Sequence, residues 1–490
     1  MIFLLSSLFF AVAPTGQTSV QTLYNTLDPK SVTEALAFYE LYPTSDQGKK
    51  ALQRAAALLQ APESSLSMFA SYINRLKGFG QELSEEEIQR IEAVAAHLPN
   101  RKLKGYLARA EAEVIDLPTD EIDLGKGLIL SQLGNVENAE FQARAYSAML
   151  DLMALQILAR LPEGATNLDK IHETNRFIFD QMHFKFPPHS VYTENIDLYT
   201  FLPSVMDNHL GVCLGVTALY LAIAQRIELP LEIITPPGHI YVRCRFGDKT
   251  VNIETTARGT HMSDETYLSI QNASLQQRTL KEVIGMTHVN KASTYLYKAE
   301  YPKAVSSYEK AQPYLHDDPL IKELLGYSCL FTEQKERGES LLREIGKGMH
   351  TIAEDYLAGK VGLEGIEAVF MQVDENLDSI LKKQKRLKQV LEKYPDFRDG
   401  LHQFAITWIQ LNHAREAIEA LTHCYTLDPA DAVTAYYLAI LHGQRQDFNQ
   451  CWRYLKQAEK NCSEKDFFPK ALKELRRELI HLCPERLNLS

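Results

Sequence analysis

The sequence lacks the motifs that usually indicate a bound nucleotide, a metal ion or a disulfide framework. It has no G-x-x-x-x-G-K-[ST] loop and no G-x-G-x-x-G after a predicted strand, which argues against nucleotide-dependent chemistry. Its seven cysteines are an odd number without paired spacing, and no CxxC or HxxxH pair indicates a zinc site. We therefore expect no cofactor, no metal ion and, if the protein is exported, at least one free thiol.

The chain also lacks an excess of positive charge. Its 490 residues contain 52 Lys and Arg against 63 Asp and Glu, which gives a formal net charge of −11. This acidic balance argues against a nucleic acid or an anionic membrane surface as the partner. A hydrophobic content of 45% is typical of a globular protein, and the length is enough for about three domains with sizeable cores.

The amino terminus has one apolar run, residues 2–13, which is too short to span a bilayer. The run ends in Ala-Val-Ala, the small-x-small pattern of a signal-peptidase site. Two features oppose simple cleavage, since no Lys or Arg precedes the run and Pro14 follows the site directly. We interpret residues 1–17 as a possible signal peptide and expect a periplasmic or secreted protein, with a cytoplasmic one as the alternative.

The most informative stretch begins at Gly211-Val212-Cys213 and continues into the apolar run LGVTALYLAIAQRI. This run fits a buried helix better than a strand, so Cys213 is predicted in the first turn of that helix. The positive end of the helix macrodipole lies there and favours a thiolate over a thiol. A thiolate is the form that attacks a carbonyl carbon, which makes Cys213 a candidate nucleophile.

A candidate base and a candidate carboxylate follow in the same stretch. After a Pro-Pro-Gly turn, residues 239–246 alternate between polar and apolar side chains, which predicts a half-buried strand that opens with His239. A two-residue turn at 247–248 would pair Tyr241 with Glu254 and leave His239 one pair away on the same face. A three-residue loop would send Glu254 to the other face, so the prediction depends on this turn.

Each of these residues also has an ordinary structural explanation. Cysteine is among the most buried residue types, so Cys213 alone could belong to a core. His239 could cap a turn, and Glu254 could pair with Arg243 or Arg245 across the hairpin. The combination of a thiol, an imidazole and a carboxylate in one continuous unit favours a catalytic site.

Together these segments resemble the transglutaminase-like superfamily, and PPGHIYVR and LYLAIAQRIELPL are similar to its bacterial SirB1-type branch. The resemblance covers about residues 165–260 and implies a papain-like α+β domain with an antiparallel sheet. It also implies amide hydrolysis or acyl transfer, with Cys213, His239 and Glu254 as the catalytic residues. The sequence departs from the family in having Glu where Asp is usual, and it retains a Cys that many SirB1-type sequences lack.

Other polar residues near this stretch are weaker candidates. Asn208 and His209 lie just upstream of Cys213, whose own backbone amide is the generic oxyanion donor. His183 and His189 flank a Pro-Pro turn and are interpreted as loop residues, with metal ligation or substrate contact as alternatives.

The carboxy-terminal region repeats with a period of 34 residues, the length of a helix-turn-helix solenoid unit. The clearest two units align Ala405 with Ala439, Trp408 with His442, Ala417 with Cys451, Leu421 with Leu455 and Cys424 with Ala458. These units resemble tetratricopeptide (TPR) repeats, which stack into an array with a concave face for a protein or peptide partner. An array that only braces the central domain is the alternative, and residues 350–396 fit the period poorly.

Residues 18–125 are helical in pattern, with a capping box predicted at Ser84 and Glu87. We divide the rest of the chain into a transglutaminase-like domain at 126–285 and an all-α TPR-like solenoid at 286–485. Two functions follow from this organisation. The first is a thiol-dependent amide or peptide hydrolase or acyltransferase with a protein-binding array, and the alternative is a catalytically inactive interaction scaffold.

Overall fold

The computed structural model describes residues 19–66, 83–134, 136–188, 195–270, 275–315, 318–345, 351–373, 376–463 and 469–483. These residues form a mostly helical protein with one small antiparallel sheet in the central region, which confirms the predicted fold class. The possible signal peptide lies outside the described residues. Among the helices of the described part, none is long and apolar enough to cross a membrane.

The amino-terminal region is a packed group of helices. They are α1 (Val20–Asn25), α2 (Val32–Leu41), α3 (Asp46–Leu59), α4 (Glu63–Leu66), α5 (Glu85–Val94), α6 (Glu111–Asp116), α7 (Leu124–Leu133) and α8 (Ala139–Arg160), with 3₁₀ turns at Ala95–His97, Pro99–Lys102, Lys104–Leu107 and Thr119–Glu121. The Ser84 side chain accepts from the Glu87 N–H, and the Glu87 carboxylate accepts from the Ser84 N–H at 2.6 Å. The predicted capping box is therefore present at the start of α5.

The central region places helices against one face of the sheet. Its elements are α9 (Asn167–Asn175) with a π-helical turn (Arg176–Gln181), α10 (Asp197–Thr200), α11 (Leu202–Asn208), α12 (Cys213–Arg226), β1 (Glu232–Thr235), β2 (Tyr241–Phe246), β3 (Lys249–Glu254), β4 (Thr260–His261) and β5 (Gln276–Arg278), with 3₁₀ turns at Thr255–Ala257 and Asp264–Thr266. The strand order is β4-β3-β2-β1-β5. Helix α12 is buried throughout residues 214–224, as its apolar sequence predicts.

The β2–β3 hairpin has the register that the sequence predicts. Phe246 pairs with Lys249, so the connecting turn holds two residues, and Gly247 occupies the left-handed region at φ +57° that this turn needs. The same register pairs Val242 with Ile253. Glu254 therefore lies on the same face of the sheet as His239.

Strand β2 is more buried than the alternating pattern suggests, so the prediction of a half-buried strand is wrong. All four residues from Tyr241 to Cys244 are buried, including the guanidinium-bearing Arg243. The chain after β4 folds back over the polar face of β2 and supplies Asp264, which accepts from Arg243 Nη2 at 2.6 Å. A buried cation is stable when it is paired in this way, and a single-sequence alternation cannot reveal the covering segment.

A buried charge network fixes the far end of α12. Arg226 is fully buried, and its Nε donates to Asp151 of α8 at 2.7 Å. Its Nη1 lies 3.4 Å from the carboxylate of Asp123, the N-cap of α7. Because both carboxylates are also fully buried, each charge depends on its partners, and the network locks α12 to α7 and α8.

The carboxy-terminal region is a series of helical hairpins. The helices are α13 (Leu280–Tyr297), α14 (Tyr301–Ala311), α15 (Pro319–Leu330), α16 (Lys335–Glu344), α17 (Thr351–Leu357), α18 (Leu363–Phe370), α19 (Leu377–Lys393), α20 (Arg398–Gln410), α21 (Ala414–Leu427), α22 (Ala432–Gln444), α23 (Phe448–Ser463) and α24 (Lys470–Leu482). Helices α20 and α22 begin at residues 398 and 432, and α21 and α23 begin at 414 and 448, which is an interval of 34 in both cases.

The turns inside these hairpins repeat as well. The N–H of His413 donates to the carbonyl of Trp408 at 2.8 Å, and the N–H of Asp447 donates to the carbonyl of His442 at 2.9 Å. The aligned alanines, Ala405 and Ala439, are both fully buried where the paired helices cross. The repeat predicted from the sequence is therefore structural, as expected for TPR-type units.

Helix α13 joins the central region to this array. It packs against α14 on one side and against α7, α10 and α12 on the other. The boundary predicted between residues 285 and 286 falls inside this helix. One helix thus belongs to both the central domain and the first hairpin.

Candidate active site

Cys213 is the first residue of α12, and the preceding segment holds it tightly. The N–H of Val212 donates to the carbonyl of Tyr199 at 2.8 Å. A Cβ atom built on Gly215 would lie 2.3 Å from the same carbonyl oxygen, so only glycine allows this close approach. Cys213 itself is partly exposed, whereas five of the seven cysteines are buried. The predicted position of the thiol, at the start of a buried helix, is confirmed.

His239 and Glu254 meet across the hairpin. Nε2 of His239 lies 2.7 Å from Oε2 of Glu254, and the two side chains are 25% and 4% exposed. The Cys213 side chain is the second group that raises the pKa of the same imidazole, so the thiol lies near the ring. Because Nε2 is engaged by the carboxylate, Nδ1 is the nitrogen left for the thiol. The structure thus brings together all three residues that the sequence nominated.

The Glu254 carboxylate accepts hydrogen bonds on both of its oxygen atoms. Its Oε1 accepts from the N–H of Thr256 at 3.0 Å and from the hydroxyl of the same residue, and its Oε2 accepts from the Tyr267 hydroxyl as well as from His239. Burial alone would raise the pKa of this carboxyl, but these hydrogen bonds lower it to about 2. Glu254 is therefore a fixed negative charge at any physiological pH.

This fixed charge, together with the thiol, controls His239. Burial would lower the pKa of the imidazole, but its hydrogen bonds to Cys213 and Glu254 raise the pKa to about 10. The ring is consequently protonated across the neutral range. A protonated imidazole thus lies beside a buried carboxylate and near a partly exposed cysteine.

One aromatic ring stacks on the imidazole, and a second ring supports the first. Tyr267 stacks on His239 with ring centroids 5.6 Å apart and planes inclined by 17°, and it stacks on Tyr241 at 4.3 Å and 15°. Burial and the hydrogen bond to Glu254 raise the pKa of the Tyr267 hydroxyl, which remains a donor. The sequence analysis missed both Thr256 and Tyr267. Thr256 directly follows the acidic strand, but no local pattern marks Tyr267.

The alternative partners of Glu254 are occupied elsewhere. Arg243 Nε donates to Asn252 at 2.9 Å and its Nη2 donates to Asp264 at 2.6 Å, while Arg245 pairs with Glu232 at 2.7 Å. A structural ion pair between Glu254 and either arginine is therefore excluded. The arginine network instead holds the segment that carries Tyr267 against β2.

The weaker candidates do not join the site through the contacts that the structure gives. His209 is in the left-handed conformation at the end of α11, where its Nδ1 lies 2.7 Å from the carbonyl of Met182. Asn208 donates to the carbonyl of Leu198 at 3.5 Å. His183 is exposed and in the left-handed conformation, and His189 lies outside the described residues. Within the described part of the chain, no cluster of three His, Cys, Asp or Glu side chains could hold a metal ion.

An α+β domain that sets a helix-start thiol against a strand-borne imidazole and a buried carboxylate defines a papain-like arrangement. Residues 144–294 match the sequence profile of the family described as Transglut_core2, Transglutaminase-like superfamily. The central part of this chain is thus a transglutaminase-like domain. A comparison with curated proteins found no match.

Solved structures with which the chain shares similarity include two of MamA and one of YrrB. MamA MSR-1 is 16% identical over 37% of this chain and 98% of that chain, with a TM-score of 0.21. A second MamA structure is 12% identical over 36% and 96%, with a TM-score of 0.22. YrrB, described as a TPR protein with an unusual peptide-binding site, is 13% identical over 39% and 92%, with a TM-score of 0.22.

Proposed function

We propose that this protein is a thiol-dependent amide hydrolase of the transglutaminase-like type, with a TPR-type array for binding proteins or peptides. The observation that carries the proposal is the 2.7 Å contact between His239 Nε2 and Glu254 Oε2, which leaves Nδ1 of the same ring for Cys213. An imidazole oriented by a carboxylate and hydrogen-bonded to a thiol is the general device for activating a cysteine nucleophile.

In the proposed reaction, the thiolate of Cys213 attacks the carbonyl carbon of an amide and forms a tetrahedral intermediate. The backbone N–H of Cys213 lies in the first turn of α12, has no acceptor within the helix, and would stabilise the developing oxyanion. The His239 imidazolium donates its proton to the departing amine, which leaves a thioester on Cys213. His239, now neutral, removes a proton from water, and the hydroxide releases the carboxylic acid.

Hydrolysis is preferred over transfer to an amine for a physical reason. Acyl transfer requires that the thioester be shielded from water until an amine arrives. His239 is 25% exposed and Cys213 is only partly buried, so water reaches the site. An amine acceptor remains the second candidate, because the thioester is common to both reactions.

The test uses p-nitrophenyl acetate, an activated ester that can acylate a cysteine without specific side-chain recognition. We expect a burst of p-nitrophenolate of about one equivalent per chain and an acetyl group on Cys213, found by peptide mass spectrometry. Cys213→Ala should abolish the burst, whereas Cys483→Ala, which removes the other partly exposed thiol, should retain it. Addition of methylamine distinguishes the two outcomes, since transfer gives N-methylacetamide and hydrolysis gives acetate. A burst that survives in Cys213→Ala would contradict the proposal, and the protein would then be studied as a scaffold.

A further inference from the structure

Two cavities open beside the first hairpin of the array. Their volumes are about 590 and 560 Å³, and Tyr297, Phe370 and Met371 line both of them. Because these three side chains form a shared wall, the two cavities are neighbouring parts of one groove. The groove lies where α13 meets α18 and α19, in the segment that fits the repeat period poorly.

The first cavity has an aromatic floor. Tyr301 stacks on Phe331 with ring centroids 4.4 Å apart, and Phe370 packs beside them. Tyr297 is 49% exposed although it is a large side chain, and it stands at the edge of this floor. Exposed aromatic surface in a concave site is typical of a place that receives an apolar side chain of a ligand.

The rim of the first cavity is cationic. Helix α19 contributes Lys382, Lys385 and Arg386, and the only acidic residue lining the cavity, Glu367, is paired with Arg386 at 2.6 Å. The whole helix carries six Lys or Arg residues and two acidic residues, a net charge of +4 in a chain whose net charge is −11. The net charge of the whole chain does not reveal this local excess of positive charge on α19, which would attract an anionic partner.

The second cavity holds a buried ammonium group. Lys383 is 7% exposed, and its Nζ donates to the carbonyl of Val369 at 2.9 Å. Burial lowers the pKa of this lysine to about 8. The other polar side chains that line the cavity are neutral, among them Asn290, Ser293 and Gln403. A ligand carboxylate placed here would offset the cost of burying the charge.

We propose that the groove docks an acidic, extended segment of polypeptide that carries an aromatic or large aliphatic side chain. The apolar side chain enters the aromatic cavity, and carboxylates on either side of it meet Lys382 and Lys385 at the rim and Lys383 in the second cavity. Charge complementarity selects this occupant over a basic segment, and the net charge of −11 of the whole chain disfavours a nucleic acid.

The groove is also connected to the thiol through the backbone. Ile196 lines the second cavity and begins the short segment that leads to Tyr199, whose carbonyl accepts from the Val212 N–H beside Cys213. If the proposed function holds, the docked segment belongs to the substrate protein whose amide is delivered to Cys213. The docking itself does not depend on that chemistry.

The test measures binding of a fluorescein-labelled peptide, Glu-Glu-Leu-Phe-Glu-Glu, to the full chain by fluorescence anisotropy. We expect saturable, salt-sensitive binding that weakens about tenfold or more in the double variant Lys382→Glu, Lys385→Glu and in Tyr297→Ala. Lys388→Glu is the matched control, because Lys388 is an exposed lysine of the same helix that does not line the cavity. It should bind within about twofold of the unmodified protein.

Several results would overturn the proposal. These are absent binding, an equal loss in Lys388→Glu, equal affinity for a peptide with Ala-Ala in place of Leu-Phe, or equal affinity for a single-stranded oligonucleotide of the same charge. Circular dichroism of each variant separates loss of binding from loss of folding. Repeating the titration with Cys213→Ala separates docking from catalysis, since binding should persist there even if Cys213 proves to have no catalytic role.

Discussion

His239 Nε2 and Glu254 Oε2 are 2.7 Å apart, and this contact determines how the imidazole faces the thiol. It fixes the ring orientation, leaves Nδ1 as the ring nitrogen not engaged by the carboxylate, and holds a negative charge beside the imidazolium. The contact depends on the β2–β3 register, and the two-residue turn at 247–248 sets that register.

Glu254→Gln should lower the pKa of His239 from about 10 towards its ordinary value near 6.5. The amide can still orient the ring but no longer stabilises the positive charge. We expect the acylation rate to fall by about 10- to 100-fold without unfolding. NMR titration of the imidazole measures the first effect, and the p-nitrophenolate burst measures the second. Glu232→Gln is the control on the same sheet, and an equal effect there would show that Glu254 has no special role.

The pH dependence of stability has a defined sign. The pKa of His239 is raised above its value in the unfolded chain, so its contribution is complete below about pH 6.5 and is lost as the pH rises through about 10. The free energy of unfolding should therefore decrease, relative to His239→Gln, by about 1 kcal/mol for each pH unit across this window. Urea denaturation at pH 6, 8 and 10 measures the difference. If the difference in the free energy of unfolding between the two proteins stayed constant with pH, the pKa of His239 would not be raised in the folded protein.

Tyr267→Phe should separate the two roles of this side chain. The variant keeps the ring that stacks on His239 and Tyr241 but loses the hydroxyl that donates to Glu254. Loss of one hydrogen bond to a buried charge is worth about 1–3 kcal/mol, so the protein should be less stable and the pKa of Glu254 should rise. Tyr267→Ala should have a larger effect on the acylation rate, because the ring is also lost. Equal rates for the two variants would mean that the stack does not position His239.

Arg226→Met should destabilise the protein far more than removal of a surface charge. The substitution removes the cation that Asp151 and Asp123 share. Asp151 keeps its ion pair with Arg101, whereas Asp123 stays buried without an arginine partner, which costs about 3–5 kcal/mol. Arg415→Met, which breaks an ion pair with partner side chains 78% and 67% exposed, should cost less than about 1 kcal/mol. Chemical denaturation of both variants makes the comparison. A similar loss in the free energy of unfolding for the two variants would show that the buried network does not stabilise the packing of α12.

The parts of this site that were predicted from sequence are those encoded locally. An apolar run defined α12 and placed Cys213 at its start, and a Gly-Asp turn fixed the parity that brings Glu254 to His239. The 34-residue period likewise predicted the hairpins, because each one is a self-contained pair of helices.

The parts that were missed depend on segments distant in sequence and irregular in structure. Tyr267 reaches Glu254 from a loop, and the same loop covers Arg243, so the polar face of β2 became buried. The cationic groove forms only when α19 packs near Tyr297. Neither of these two contacts between distant segments produces a periodic pattern in the sequence.

The central claim is that His239 holds Cys213 in a reactive state, and the rate of alkylation by iodoacetamide tests it without a substrate. Peptide mass spectrometry would follow each cysteine of the intact protein from pH 5 to 9, with Cys483 as the internal reference for a partly exposed thiol. The account predicts fast labelling of Cys213 that persists at pH 6 and is lost in His239→Ala. Slow labelling that parallels Cys483 at every pH and is unchanged in His239→Ala would contradict it.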